Sequence, residues 1–237
     1  MSFKDGDFIR IEYSAWRVAD NKLVYTTDEK KAKDNGVYFE TSKYGPQLVV
    51  VGKSQIIKGL DAAIKGMSLN ESKKVELSPE QAFGAREQDL VKVMSLSDFR
   101  SRNMDPYPGM QVDLDGVIAT VKSVNSGRVL VDANHPLAGE KLTYEVKVIA
   151  KIDKEEEKVS ALAESYSLKP VSVKIEGKSV NLEFDGKTEK NSDYFINKTT
   201  FVDALLRYMD NLEKVYVKEE YTREKKEETH DHDHKHE

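Results

Sequence analysis

Apolar and polar residues follow a strand-like pattern over much of the first 85 residues. Residues 7–18 and 71–79 alternate with the period of a half-buried strand, and 22–27 and 47–51 are shorter β-prone segments. Between 47–51 and 71–79, residues 54–67 carry apolar side chains at helical spacing. Ser54 is the candidate N-cap of this helix, and Gly66 is its predicted end. The pattern predicts strands packed against one short helix.

A change in composition marks residues 86–133. They contain three of the six methionines and two of the six prolines, and strand-like segments separated by glycines and by a turn at 125–127. Residues 95–103 are predicted to form a short helix that begins at Ser95 or Ser97. Residues 141–152 then alternate over a dozen positions, which predicts a long strand.

A charged segment at 154–158 is a candidate boundary. Beyond it the pattern predicts a helix over 156–166, strands over 171–176 and 179–185, a helix over 199–212 and a last strand over 214–221. Glu176 and Gly177 are the hairpin signal between the two strands. This order predicts a separate α-β-β-α-β domain followed by a solvated polar tail.

Composition excludes several kinds of chemistry. The chain has no cysteine, which excludes a cysteine nucleophile, a disulfide and a thiolate metal site. Four of its five histidines lie at the end, so His135 alone is left for the rest of the chain. The net charge of −5, evenly mixed, argues against nucleic acid as a partner. With no signal-peptide core and no membrane-length apolar run, we expect a cytoplasmic protein.

Three stretches, taken together, resemble the FKBP-type peptidyl-prolyl cis-trans isomerases in the form that carries an inserted domain. They are VVGKSQIIKGLDAAIKGM, SPEQAFG and VDANHPLAGEKLTYEVKVIAKI. The Asn-His-Pro-Leu-Ala-Gly run in the third stretch marks the SlyD-like subgroup. The resemblance covers about residues 1–153, and the region after it resembles the extra C-terminal domain of the long archaeal members.

The resemblance implies an α+β fold in several parts. An antiparallel half-barrel wrapped on a short helix would comprise residues 1–85 and 134–153, and a mostly-β domain inserted in the flap would comprise 86–133. A C-terminal α-β-β-α-β domain would follow at 154–222. Residues 223–237 would be a disordered charged tail.

The implied activity is rotation of X-Pro bonds in unfolded or partly folded proteins, with chaperone activity from the insert and no cofactor. The candidate catalytic residues are Tyr13, Tyr25, Ile57, Phe83 and Tyr144. The candidate substrate-binding residues are Val24, Val49, Val51, Ile56, Leu60 and Leu137, with Met94, Phe99, Met104 and Met110 in the insert. Without the resemblance, most of these side chains would be read as ordinary core.

Two positions depart from the family pattern. Tyr25 stands where the family has an aspartate that orients the pocket, and Phe83 stands where it has a tyrosine whose hydroxyl bonds the substrate. We therefore expect lowered isomerase activity. The alternative is a folding chaperone, a holdase, with weak or lost isomerase activity.

The expected partners are unfolded or proline-containing polypeptides, without nucleic acid or a membrane. The resemblance also suggests a homodimer formed through the C-terminal domain, for which a plain packing domain is the alternative. The tail histidines, which alternate with Asp and Lys, would bind a divalent metal weakly; they are His230, His232, His234 and His236. We favour the interpretation that the tail is a solvated segment whose affinity for divalent metal is incidental.

Overall fold

The computed structural model describes residues 2–114 and 116–222. They adopt an α+β fold that divides into two compact units, with the boundary between Lys151 and Ile152. The elements of the first unit, in chain order, are β1 (Phe8–Arg17), β2 (Lys22–Thr26), α1 (Glu29–Asp34), β3 (Gln47–Val50), α2 (Lys58–Lys65), β4 (Ser72–Leu77), β5 (Val91–Ser95), α3 (Leu96–Ser101), β6 (Gln111–Leu114), β7 (Val117–Asn125), β8 (Arg128–Asp132) and β9 (Leu142–Ile152).

A five-stranded sheet forms the main body of this unit, in the order β2-β1-β9-β4 with β3 also paired to β1. β1 is long enough to serve two partners on one side: its residues 8–11 pair with β3 and its residues 14–17 with β2. β9 pairs antiparallel with β4. The fold therefore brings β9, which is far from β1 and β2 in sequence, to lie beside them in one sheet.

Helix α2 lies close against β4 and the turn that follows it. It begins at Lys58, four residues later than the pattern predicted, because Ser54 has a left-handed φ of 55° and Ile57 occupies the N-cap. The helix ends at Gly66, as predicted. At Gly59 an added Cβ would lie 2.6 Å from Leu77 Cδ2 and 3.0 Å from the Gln81 carbonyl oxygen, so only glycine fits at this contact.

The insert has its own four-stranded sheet, in the order β5-β8-β7-β6, and a small core around Phe99. Ser95 caps α3 by accepting from the Ser97 N–H, which confirms one of the two predicted starts. Strand β5 was not predicted. The two connections to the main sheet are held together by an ion pair between Arg86 and the buried Asp132. There the Asn134 side chain also bonds both the N–H and the carbonyl of Glu87, at 2.8 and 2.9 Å.

The second unit contains α4 (Glu155–Ser165), β10 (Ser172–Glu176), β11 (Ser179–Phe184), α5 (Ser192–Tyr208) and β12 (Lys214–Glu219). Its sheet has the order β10-β11-β12, antiparallel and then parallel. Helix α5 begins at Ser192, seven residues before the predicted start, because Asn191 caps it by accepting from the Tyr194 N–H. Within residues 2–114 and 116–222, no helix has the length and apolar character needed to cross a bilayer.

The contact at Gly59 leads to a test by substitution. Replacing Gly by Ala within a helix ordinarily stabilises it, but in Gly59→Ala the new methyl group must displace the buried Leu77 and the backbone at Gln81. We expect a loss of about 1–3 kcal/mol in the free energy of unfolding, measured by urea denaturation.

Gly66→Ala is the matched control at the other end of α2. Its φ is −88°, which any residue adopts, and the nearest atom to an added Cβ is 3.9 Å away. We expect this variant to be as stable as the parent or slightly more stable. Equal stability of the Gly59→Ala and Gly66→Ala variants would contradict the close contact.

Candidate functional site

A cavity of about 500 Å³ lies in the first unit, bounded by the sheet, the start of α2 and the loops on either side of the insert. All the predicted catalytic residues line it: Tyr13, Tyr25, Ile57, Phe83 and Tyr144. Of the predicted substrate-binding residues, it is lined by Val24, Ile56, Leu60 and Leu137. The structure thus brings together side chains from five separate stretches of the chain.

Three tyrosines form one wall of the cavity. They come from β1, β2 and β9, which are neighbours in the sheet. The Tyr13 ring stacks on the Tyr25 ring with centroids 5.2 Å apart, and it lies 6.0 Å from the Tyr144 ring. Burial raises the pKa of Tyr13, as do the adjacent Tyr25 and Tyr144, and burial raises the pKa of Tyr144 to about 12. Both hydroxyls therefore keep their protons at neutral pH.

The floor of the cavity is apolar and is set by the start of α2. Ile56 and Ile57 precede the helix and Leu60 lies in its first turn, packed against the main core. The Ile57 carbonyl accepts from Leu60 and Asp61, whereas the Ile57 N–H donates to no group among the described residues. The floor thus offers a backbone donor beside branched side chains.

Val49 and Val51 lie elsewhere. Both are fully buried in the core under the sheet, with exposed fractions of 1% and 0%, and neither lines the cavity. Their side chains therefore support the sheet beneath the site and do not face a ligand. This corrects the expectation that they bind substrate.

Phe83 and His135 close the cavity on the side of the insert. Their rings stack with centroids 4.1 Å apart and almost parallel planes. His135 Nδ1 accepts from the Leu137 N–H at 3.1 Å, and Gly139 N–H donates to the Gly84 carbonyl at 2.9 Å, which joins the two loops. Burial lowers the pKa of His135, so the ring is neutral with its proton on Nε2.

Two glutamine side chains that were not predicted as site residues also line the cavity. Gln55 Oε1 accepts from the Val50 N–H and so anchors the loop before α2. Gln47 lies between two of the tyrosines: Tyr13 Oη donates to Gln47 Oε1 at 3.2 Å, and Gln47 Nε2 donates to Tyr25 Oη at 2.6 Å. None of the three family-like stretches includes Gln47. The pairing of β3 with β1, which places Gln47 opposite Ile11, is the signal that could have found it.

The insert residues are divided between core and surface. Phe99 is 1% exposed at the centre of the insert core, so it packs internally, which corrects the expectation that its side chain binds substrate. Met94, Met104 and Met110 are partly buried against the same core. Larger exposed fractions belong to Val93 and Ile118, at 63% and 58%.

The described residues contain no cluster of three or more His, Asp or Glu side chains that could hold a metal. The tail histidines His230, His232, His234 and His236 lie outside the described residues.

Comparison with known proteins agrees with this geometry. Residues 1–96 match the family model of the FKBP-type peptidyl-prolyl cis-trans isomerases, and residues 92–137 match that of the FKBP26 IF domain. The chain is 32% identical over 145 residues to the short-type peptidyl-prolyl cis-trans isomerase of Methanocaldococcus jannaschii, covering 61% of this chain and 91% of that protein.

Two bacterial proteins are similar as well. A probable FKBP-type 16 kDa peptidyl-prolyl cis-trans isomerase of Pseudomonas fluorescens is 28% identical over 138 residues, 56% of this chain and 91% of its own. The FKBP-type isomerase SlyD of Helicobacter pylori is 31% identical over 121 residues, 49% of this chain and 64% of its own. The chain belongs to the FKBP-type peptidyl-prolyl cis-trans isomerase family and carries an insert-in-flap domain.

The state of His135 leads to a prediction for pH dependence. Because burial lowers the pKa of His135 from its ordinary value, the ring is neutral at neutral pH, and its protonation on acidification removes the acceptor for the Leu137 N–H. Below the ordinary pKa of histidine the folded state binds fewer protons than the unfolded state. The contribution of His135 to stability is therefore complete above that ordinary pKa and is lost as the pH falls through the lowered pKa of the folded state. We expect prolyl isomerase activity to fall about fivefold over the same range.

The variant His135→Phe keeps a ring against Phe83 but does not titrate. Its pH–rate profile, measured with a short proline peptide, should be flat across the range in which the parent declines. The same decline in this variant would show that another group titrates.

Proposed function

We propose that the protein catalyses cis-trans isomerisation of X-Pro bonds in polypeptides and that the cavity lined by Tyr13 and Leu60 binds the proline. The observation that carries this proposal is the composition of the cavity: three tyrosines, a branched apolar floor and neutral donors converge on one space of about 500 Å³. A proline with its flanking peptide is of the size and polarity that such a cavity takes.

The chemistry of the reaction explains why such walls suffice. Rotation about an amide bond has a barrier of about 20 kcal/mol because the twisted state loses resonance. No bond to a nucleophile, base or metal is needed. A twisted amide has a less polar carbonyl than a planar one, so an apolar cavity that excludes water favours it over the ground state. The protein lowers the barrier by binding that state more tightly.

Each part of the cavity has a proposed task. Tyr13 and Tyr144 provide flat walls for the proline ring, with Ile56 and Leu60 beneath it. The Ile57 N–H donates to a carbonyl of the bound chain, which fixes the peptide while the bond rotates. Val24, Phe83 and Leu137 complete the apolar rim.

We further propose that the insert binds unfolded chains on the sheet face opposite its core. Along β5, β7 and β8, the residues that alternate with core positions include Val93, Ile118 and Leu130, of which the first two are exposed. Met94, Met104 and Met110 provide adaptable apolar surface beside the core, and the sheet edges β5 and β6 can pair with an extended chain.

A holdase with weak isomerase activity is the second candidate, since Tyr25 and Phe83 differ from the family pattern. The ring stacking at both positions supports the first proposal, because each aromatic side chain still forms part of the cavity wall.

The finer organisation is also a proposal. The half-barrel would comprise 1–85 and 134–153, the insert 86–133 and the C-terminal domain 154–222. A homodimer through the C-terminal unit is supported by exposed apolar side chains on α5, among them Ile196 at 64% and Leu206 at 43%.

One experiment tests isomerase and chaperone activities together. The full chain and the variant Ile118→Asp are assayed on a short Ala-Leu-Pro-Phe peptide by exchange NMR and on a protein whose refolding is limited by proline isomerisation. We expect both proteins to accelerate the peptide reaction equally, because Ile118 does not line the cavity. We expect the variant to catalyse refolding on the order of tenfold less, since it no longer buries the isoleucine against the client.

The control Asn125→Asp adds the same charge to an exposed position of the same strand. It should retain both activities. Absence of peptide acceleration by the parent would refute the isomerase proposal and favour the holdase. Equal refolding catalysis by the Ile118→Asp variant would refute the client surface on the insert.

A further inference from the structure

Gln47 connects two cavity hydroxyls that the family pattern does not connect in this way. The Tyr25 side chain, 37% exposed, lies at the rim of the cavity, and the Tyr13 side chain lies deeper in the wall. The amide of Gln47 contacts both, accepting from Tyr13 at 3.2 Å and donating to Tyr25 at 2.6 Å. The stacked rings hold the two hydroxyls at a fixed separation.

The direction of these bonds determines what each hydroxyl can still do. A tyrosine hydroxyl has one hydrogen to donate and an oxygen that can accept. Tyr13 gives its hydrogen to Gln47, so it has none left for a ligand. Tyr25 receives a hydrogen from Gln47, so its oxygen is occupied as an acceptor. The two hydroxyls also bond each other, and because this bond raises the pKa of Tyr13, it is Tyr13 that donates to the Tyr25 oxygen. The hydrogen of Tyr25 therefore has no acceptor among the described hydrogen bonds.

An amide is the side-chain group suited to this arrangement. Its oxygen accepts a hydrogen bond and its nitrogen donates one. One tyrosine therefore donates to the amide, whereas the other accepts from it and keeps its own hydrogen for a ligand. A carboxylate at position 47 would accept from both hydroxyls and leave neither hydrogen for a ligand. An apolar residue there would leave both hydroxyls free to rotate.

We propose that the Tyr25 hydroxyl donates a hydrogen bond to a carbonyl oxygen of the bound polypeptide, and that Gln47 is the positioning residue that directs this hydroxyl towards the substrate. The inference rests on the proposed binding of a proline segment in the cavity. It assigns to Tyr25 a donor role in place of the carboxylate that the family pattern has at this position. It also supplies a hydroxyl donor in a cavity where Phe83 has none.

The test uses a double-mutant cycle on the full chain. Tyr25→Phe removes the hydroxyl and keeps the stacked ring, whereas Gln47→Glu keeps the size of the side chain and removes its hydrogens. Each variant should lose about five- to tenfold in kcat/KM on a short proline peptide, mainly through KM, which is the worth of one neutral hydrogen bond. The double variant should lose no more than Tyr25→Phe alone, because both changes remove the same bond to the substrate.

Peptide affinity, measured by calorimetry, is a readout that does not depend on turnover. If the parent binds the peptide but does not accelerate its isomerisation, the proposed function is refuted. The inference about Tyr25 is tested separately, by whether both variants weaken peptide affinity equally. Gln88→Glu makes the same chemical change in an exposed turn and should leave rate and affinity unchanged. Thermal unfolding of each variant checks that the fold is intact.

Two results would overturn the proposal. One is unchanged peptide affinity and kcat/KM in the Tyr25→Phe variant. The other is additive losses in the double variant, since Gln47→Glu would then act through its charge and not through Tyr25.

Discussion

The first unit depends on how closely α2 approaches β4 and the turn after it. Gly59 has no side chain, so the helix lies directly against Leu77 and Gln81. That contact fixes how close the helix lies to the sheet. Ile57, just before the helix, and Leu60, in its first turn, therefore line one cavity with the tyrosines of the sheet. The cavity is thus a consequence of how a helix packs on a sheet, and the loops at Phe83 and Leu137 complete it.

The chemistry of the cavity is that of neutral groups. Burial raises the pKa values of Tyr13 and Tyr144 and lowers that of His135, and each shift favours the uncharged form at neutral pH. Bond rotation about proline needs no proton transfer, so the absence of cysteine and the single histidine outside the tail fit the reaction. Polar groups remain useful as fixed donors, and the Ile57 N–H and the Tyr25 hydroxyl are placed to serve in that way.

Most of the residues that line the cavity could be predicted from the family motifs, because the motif positions are the ones whose side chains form its walls. The cavity lining from Tyr13 to Tyr144 follows the motif positions closely. Prediction failed where register or burial decides the outcome. The side chains of Val49 and Val51 are buried in the main core, and that of Phe99 is buried in the insert core. Helix α2 begins later than predicted because Ser54 has a left-handed φ. Gln47 was missed because a pairing between strands, not a motif, brings it to the tyrosines.

The insert shows the same limit on a larger scale. Its methionines suggested a client surface, yet the side chains of Val93 and Ile118 are more exposed than the methionines, and a count of residue types does not distinguish these two from core residues. Only the strand register separates the two faces of that sheet.

The most direct measurement of the central claim is an NMR titration of the methyl-labelled full chain with a short proline peptide. The account predicts shifts of the methyl groups of Val24, Ile56, Ile57, Leu60 and Leu137, all of which line the cavity. Methyl groups of Val180 and Leu182 in the C-terminal sheet should not move. Shifts confined to residues outside the cavity, with these five unchanged, would contradict it.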